Sequence, residues 1–356
     1  MKRIASVFAL FALVLPTFAQ EVVPLHQPPY GEQIDVNAVL LDVIVTDSKG
    51  NQILGLGKDD FIVQEDGVAQ NVESVDYFTN RRLLDQREEN APFKVERVRE
   101  DRYFIFFFDK PQNAGAMFNE LNRARRAAMN FVKEEMQPTD YVAVAGHDMR
   151  LKIYSDFTND KKQLERALEE VMRFGKGLTK APAGDGPSLL QNMSSGELID
   201  YTGTVYEALD FLGTSLRPIK ARKNLVLFSP GIMDRFETVR NGTIVNRSSD
   251  FDEALRSLNA ANVAVYGVQL QEDPGFTPLI HQRLTELSDE TGGRYFQFNT
   301  TFEPAVERIE KTNAGYYLVT YSSKKPKGEK GYQKVSVKLK NPEFKVVARS
   351  GYQYGS

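Results

Sequence analysis

Two patterns of apolar residues divide the chain into regions. Between residues 103 and 313, short apolar runs such as 103–108 and 224–228 alternate with segments such as 121–136, whose apolar residues recur every three or four positions. Unbroken runs are typical of strands covered on both faces, and the longer period is typical of helices. The alternation predicts an α/β unit over residues 101–313, with a mostly parallel sheet flanked by helices.

A period of two replaces this pattern at both ends of the chain. Residues 34–46 and 334–339 alternate between apolar and polar side chains, and turn-forming clusters such as 47–51 separate such segments. We expect an N-terminal β segment, a charged linker and a C-terminal β segment at 33–80, 81–100 and 314–356. The two β segments are predicted to pack into one small β-sandwich-like domain, into which the α/β unit is inserted.

The first nineteen residues have the features of an export signal. Lys2 and Arg3 precede an almost wholly apolar stretch at 4–15, and the small residue Ala19 follows. The stretch is shorter than the roughly 20 residues of a membrane-spanning helix. We therefore expect a signal peptide at 1–19, cleaved after Ala19, then an extended proline-containing leader at 20–32. The mature protein is expected to be secreted or periplasmic, without a transmembrane anchor.

Composition excludes several classes of function. The chain has no cysteine, three histidines and a net charge of −3, so thiol catalysis, thiolate metal sites and nucleic-acid binding are disfavoured. Neither a phosphate-binding Gly-x-x-x-x-Gly-Lys-[Ser/Thr] loop nor a Gly-x-Ser-x-Gly nucleophile elbow occurs in the sequence. We predict that the protein is not an enzyme.

Three features in order resemble bacterial proteins that carry a von Willebrand factor A-related domain. They are the segment 43–67, which ends in Phe61-Ile62-Val63-Gln64-Glu65-Asp66-Gly67, the strand Phe106-Phe107-Phe108-Asp109, and the ending Gly315-Tyr316-Tyr317-Leu318 … Ala348-Arg349-Ser350-Gly351-Tyr352. The resemblance implies a von Willebrand A-type, Rossmann-like fold flanked by β segments in an exported protein. It also implies a ligand site at the carboxyl ends of the sheet strands.

In this family a Mg²⁺ ion is held there by an Asp-x-Ser-x-Ser motif, a threonine from a second loop and an aspartate from a third. Asp109 matches the first aspartate, but Pro111 and Asn113 occupy the two serine positions. Asn113 retains an amide oxygen, which is a ligand that Mg²⁺ accepts, whereas Pro111 has no side-chain oxygen.

The other two loops match in part. Thr202 and Thr204 lie in the second loop, but the third loop reads Ser229-Pro230-Gly231, with Asp234 further on. The resemblance thus implies a degenerate metal site, with Asp109, Asn113 and Thr204 as candidate ligands. One well-matched carboxylate disfavours Mg²⁺, and no cofactor is predicted with certainty.

We predict an exported protein-binding module that presents the loops at this sheet edge to an unidentified envelope or extracellular protein. The candidate ligand-binding residues are Asp109, Asn113, Thr202, Thr204, Ser229 and Asp234.

Three alternatives stay open at the level of the sequence. Asp109, Thr202 and Thr204 are also residue types that cap loops and helices through their side-chain oxygens. His147-Asp148 follows a predicted strand, so a periplasmic hydrolase that uses His147 with a carboxylate is the second function. The third is a structural scaffold whose site has lost its activity.

Overall fold

The computed structural model describes residues 34–79, 95–96, 101–110, 117–173, 175–180, 188–190, 202–219, 221–232, 239–240, 243–244, 248–270, 278–297, 302–313, 315–326 and 329–355. The predicted signal peptide, the leader and most of the linker lie outside these ranges, as do Asn113 and Asp234. No helix among the described residues is long and apolar enough to span a membrane.

The strands before the α/β unit are β1 (Ile34–Thr46), β2 (Phe61–Glu65), β3 (Val68–Gln70), β4 (Val72–Thr79) and β5 (Val95–Glu96). Those of the α/β unit are β6 (Arg102–Asp109), β7 (Asp140–His147), β8 (Leu151–Thr158), β9 (Lys223–Ser229), β10 (Val239–Arg240), β11 (Thr243–Ile244), β12 (Val263–Gln269) and β13 (Arg294–Phe296). The C-terminal strands are β14 (Gly315–Pro326), β15 (Gly331–Leu339), β16 (Lys345–Val347) and β17 (Gly351–Tyr354).

The helices are α1 (Phe118–Asn130), α2 (Lys161–Met172), α3 (Val205–Leu216), α4 (Ser249–Ala260), α5 (Pro278–Glu290) and α6 (Glu303–Thr312). The predicted helix over 121–136 is confirmed, and it consists of α1 followed by a π-helical turn, Phe131–Glu135. The Met136 N–H donates to the Phe131 carbonyl at 2.8 Å. Apolar periodicity did not reveal this change from i+4 to i+5 hydrogen bonding.

A six-stranded sheet in the order β13-β12-β9-β6-β7-β8 forms the centre of the α/β unit. All neighbouring strands run parallel except β8, which runs antiparallel to β7. One face packs against α1, α2 and α6 through residues such as Leu121, Leu164 and Ile309, and the other against α3, α4 and α5 through Leu209 and Leu284. The predicted mixed α/β layering is confirmed.

The direction of strand succession reverses between β6 and β9. From β6 the chain adds β7 and β8 on one side, and from β9 it adds β12 and β13 on the other. In open α/β sheets such a switch point leaves a crevice at the carboxyl ends of the two strands, and ligands bind there. Asp109 and Ser229 are the last residues of β6 and β9, so the fold places both at this crevice.

The terminal segments form a separate set of strands, here called the β framework (residues 34–79 and 315–355). Strand β14 pairs with both β1 and β4, and β15 pairs with both β2 and β17. The resulting sheets, β16-β1-β14-β4-β5 and β17-β15-β2-β3, share a core that includes Leu41, Val63, Tyr317, Val319 and Val335. Each sheet therefore combines strands from before and after the α/β unit.

Candidate functional site

Asp109 and Ser229 meet at the switch point because their strands lie in register. Phe108 pairs with Phe228 across β6 and β9, and their rings stack at 5.1 Å on the α1 side of the sheet. The next residue on each strand points to the opposite face. There the Ser229 hydroxyl donates to Asp109 Oδ2 at 2.7 Å and accepts the N–H of Gly231 at 3.0 Å. Asp109 is 6% exposed and Ser229 is fully buried.

Within the described part of the chain, the Asp109 carboxyl has fewer hydrogen-bond partners than a buried charge requires. Ser229 supplies the one hydrogen bond to it among the described residues. Burial raises the pKa of Asp109 to about 7, and the hydrogen bond from Ser229 opposes that rise. Desolvation therefore outweighs the hydrogen bond, and the carboxyl exchanges its proton near neutral pH.

His147 lies beside Asp109 and connects the site to the loop before α3. The two residues are register partners on β6 and β7. His147 Nε2 lies 3.1 Å from the carbonyl oxygen of Thr202, and a carbonyl only accepts, so this nitrogen carries the hydrogen. Burial lowers the pKa of His147, while the Thr202 contact opposes that effect. The imidazole ring is therefore held beside Asp109 by the Thr202 carbonyl.

The two threonines of the second loop have structural partners of their own. Thr202 is fully buried, and its hydroxyl accepts the N–H of Leu151, the first residue of β8, at 2.9 Å. Thr204 is the N-cap of α3: its hydroxyl accepts the N–H of Glu207 at 3.1 Å, and Glu207 Oε2 accepts the N–H of Thr204 at 2.7 Å. The capping alternative is confirmed for Thr204, whereas the Thr202 hydroxyl binds the first residue of β8.

The Asp148 carboxylate is bound by lysines and not by the neighbouring His147. Asp148 is held by Lys152 at 2.8 Å and by the buried Lys110 at 3.2 Å. Lys110 Nζ also donates to the hydroxyl of Tyr154 at 2.6 Å. Because β7 ends at His147, the carboxylate of the next residue turns toward these lysines, while the imidazole faces the Thr202 carbonyl.

The described donors do not fit a Mg²⁺ ion. Within the described ranges there is no group of three or more His, Asp or Glu side chains that could hold a metal. Asp109 offers one carboxyl, Ser229 one hydroxyl that is already engaged, and Thr204 a hydroxyl used by the helix cap. Six oxygen ligands are required for octahedral Mg²⁺. Metal binding by Asp109, Asn113 and Thr204 stays a prediction, and no chemistry is derived through it.

An exposed basic surface, here called the rim, lies at the same sheet edge as the buried Asp109–Ser229 pair. It was not predicted from the sequence. We define the rim as residues 149–150, in the turn between β7 and β8, together with residues 176–180. Met149 is 71% exposed and has φ +66°, a conformation uncommon for a residue other than glycine. The N–H of Leu178 donates to the carbonyl of Ile153 at 2.6 Å, which fixes the second segment against β8.

The rim combines positive charge with exposed apolar groups. Arg150, Lys176 and Lys180 are exposed, and none of them forms an ion pair with another described residue. Met149 and Leu178 lie between them in the two segments, with Leu178 37% exposed. The surface next to Asp109 is therefore suited to contact an acidic segment that also carries apolar side chains.

No protein-family model matches the chain, and no curated protein matches it. Similar solved structures include an aerotolerance-related membrane protein from Bacteroides fragilis and BatB from Bacteroides thetaiotaomicron, each with TM-score 0.38, 14% identity and coverage of 60% of this chain and 98% of that chain. The TFIIH p34 N-terminal domain gives TM-score 0.39, 12% identity and coverage of 60% and 97%.

Proposed function

We propose that this chain is an exported, von Willebrand A-like protein-interaction module that docks a partner at the carboxyl edge of its central sheet. The observation that carries the proposal is the Asp109–Ser229 pair at the switch point between β6 and β9. A buried carboxyl with one described hydrogen bond contributes little to stability, and such groups concentrate at functional sites. The resemblance to von Willebrand A-related proteins supports the same location.

The basic rim supplies the docking surface, and the buried residues form its support. Lys110 and Lys152 hold the β7–β8 turn through Asp148, and Thr202 fixes the start of β8. These contacts fix the segments that present Met149 and Arg150. An acidic segment with apolar side chains would neutralise the rim cations and cover the exposed methionine. The proposed partner is an envelope or extracellular protein.

Neither alternative function gains support from the geometry. A hydrolase that used His147 would need a free ring nitrogen directed at substrate. Here the ring is buried and one nitrogen donates to the Thr202 carbonyl. A pure scaffold does not require exposed cations without an ion-pair partner among the described residues at the same sheet edge as a carboxyl with one described hydrogen bond.

Site-specific photo-cross-linking tests the docking surface. A photoreactive amino acid at Met149 should form a discrete cross-linked product in the exporting cell. The same residue at Ile62, which is 38% exposed on the β framework, should not. Charge reversal of the rim (R150E, K176E and K180E together) should reduce the product at least about tenfold. The matched reversal of the exposed framework residues Lys334 and Lys338 should not.

Equal cross-linking from Met149 and Ile62, or an unchanged product after rim reversal, would contradict the proposal. Addition of EDTA is expected to leave the cross-link unchanged, because the described donors do not form a metal site. Export is tested separately by the mass of the mature protein, which should begin at Gln20.

A further inference from the structure

A cavity lies far from the docking surface, where the β framework meets the amino-terminal ends of the central strands. This seam cavity has a volume of about 530 Å³, within the range of small-molecule sites, which often occur between domains. Leu40 and Asp42 of β1 and Leu318 of β14 line it from the framework side. Arg222, just before β9, and Asn262, just before β12, line it from the α/β unit.

The two sides of the seam are held together by direct hydrogen bonds. Asn262 Nδ2 donates to Asp42 Oδ2 at 2.6 Å, and Asn259 Nδ2 donates to the Tyr332 hydroxyl at 2.9 Å. The N–H of Ser350 donates to the Glu290 carbonyl at 2.9 Å. The cavity is therefore preformed, which lowers the entropic cost of binding a ligand.

Two arginines in the cavity wall form hydrogen bonds with neutral groups alone, as far as the described residues extend. Arg349 donates to the carbonyls of Asn259 at 3.0 Å and Leu40 at 2.9 Å. Arg222 donates to the Gly292 carbonyl at 2.5 Å and approaches the Tyr266 hydroxyl at 3.4 Å. The buried Nε–H of each arginine has no acceptor among the described residues.

The two guanidinium groups also repel each other. Burial lowers the pKa of Arg349, the nearby Asp42 carboxylate opposes that shift, and the charge of Arg222 adds to it. Two adjacent, half-buried cations that repel each other are stabilised when an anion lies beside them. A planar guanidinium fork matches a carboxylate geometrically.

The composition of the cavity wall defines the ligand further. Three arginines (Arg217, Arg222 and Arg349) and two aspartates (Asp42 and Asp101) line it, so one positive charge remains uncompensated. This balance matches one negative charge and disfavours a doubly charged phosphate. Tyr103, Ile219 and Leu318 supply apolar surface beside the arginines, which suits an organic body rather than a bare ion.

We propose that the seam cavity binds a small organic monocarboxylate, with its carboxylate on Arg222 and Arg349 and its apolar body against Tyr103, Ile219 and Leu318. This site is independent of the docking surface, because it lies at the opposite edge of the central sheet. The protein would thus carry a ligand site at the seam that joins its two units.

Calorimetric titration of the full chain with octanoate tests the proposal, and octanamide and inorganic phosphate are the matched comparisons. Octanoate should bind saturably with one site per chain. Octanamide, which lacks the charge, should bind at least about tenfold more weakly. Phosphate should also bind more weakly, because it lacks the apolar body. Two variants, R349Q and A221F, remove a guanidinium and fill the cavity, respectively, and each should weaken octanoate binding by a similar factor.

Residue 221 is not a hydrogen-bond partner of either arginine, so A221F reports on the cavity even if R349Q fails to fold. D109N is the control at the other edge of the sheet and should bind octanoate like the wild type. Absence of saturable octanoate binding, equal binding of octanamide or phosphate, or full binding by A221F would overturn the proposal.

Discussion

Glu65 of the β framework and Asp109 of the α/β unit are each 6% exposed, but their surroundings satisfy them differently. Glu65 accepts hydrogen bonds from the hydroxyls of Tyr321 at 2.8 Å, Ser323 at 2.9 Å and Tyr352 at 3.0 Å. Asp109 accepts one, from Ser229. A buried carboxyl with three donors stabilises the packing around it, whereas one with a single described donor opposes folding when it ionises.

The difference follows from where each residue lies. Glu65 is the last residue of β2, and two of its donors come from strand β14 of the facing sheet, so a closed core surrounds it. Asp109 is the last residue of β6, and beyond it loops replace the strands. The buried carboxyl of Glu65 therefore stabilises the framework. The buried carboxyl of Asp109, at the switch point, changes its charge near neutral pH.

The largest expected effect is the pH dependence that Asp109 imposes on stability. Its pKa is about 7 in the folded chain, against 3.8 as the ordinary value, so the folded state binds the proton more tightly. The stabilisation is complete below about pH 4 and is lost as the pH rises through 7, by at most about 1.4 kcal/mol per pH unit. Urea unfolding of wild type and D109N at several pH values measures it.

The D109N variant cannot titrate at this position, so the wild-type curve should fall relative to it between pH 4 and 7. Two curves that run parallel over that window would mean that Asp109 has an ordinary pKa. They would also remove the contrast with Glu65.

A smaller loss is expected from E65Q. The amide keeps the shape of the side chain but replaces one carboxylate oxygen with an NH₂ group. In the wild type the surrounding hydroxyls donate to the carboxylate, so in the variant hydroxyl donors face an NH₂ donor. We expect a loss of about 2 kcal/mol in the free energy of unfolding. The exposed Glu73 on β4 is the matched control, and E73Q should change stability by less than about 0.5 kcal/mol. An E65Q protein as stable as wild type would show that the hydroxyl cluster is not a structural anchor.

The smallest effect is expected from T204A. This variant distinguishes a helix-capping role of Thr204 from a role in partner binding. Loss of the capping hydroxyl should cost about 1 kcal/mol, and T204S should restore most of it. Because Thr204 is occupied by Glu207, the rim cross-link at position 149 should persist in T204A. Loss of that cross-link in a folded T204A protein would show that Thr204 contributes to partner binding.

Much of the fold could be predicted because it depends on local pattern. The apolar run at 103–108 and the helical period that follows it are recognisable in sequence, and so is the position of Asp109 at the end of a buried strand. The contact of Asp109 with Ser229 needs the order of strands, which the sequence does not state. The same holds for Glu65, whose donors lie more than 250 residues away.

Other features were missed for physical reasons that differ. Of the lysines that hold Asp148, one directly follows β6 and the other lies in β8, so their convergence depends on tertiary pairing. Arg222 and Arg349 meet only at the seam between the two units. One local feature of the sequence indicates the rim weakly. Met149-Arg150 follows His147-Asp148 in the short interval between two predicted strands. Its exposure and its neighbours at 176–180 were set by long-range packing.

Carbon-13 NMR titration of the side-chain carboxyls, with D109N used to assign the Asp109 signal, tests the central contrast most directly. The account predicts that Asp109 titrates with a midpoint near pH 7 because of its burial. A midpoint near pH 4 would show that the carboxyl is fully solvated or fully paired, and would contradict the account of the switch point.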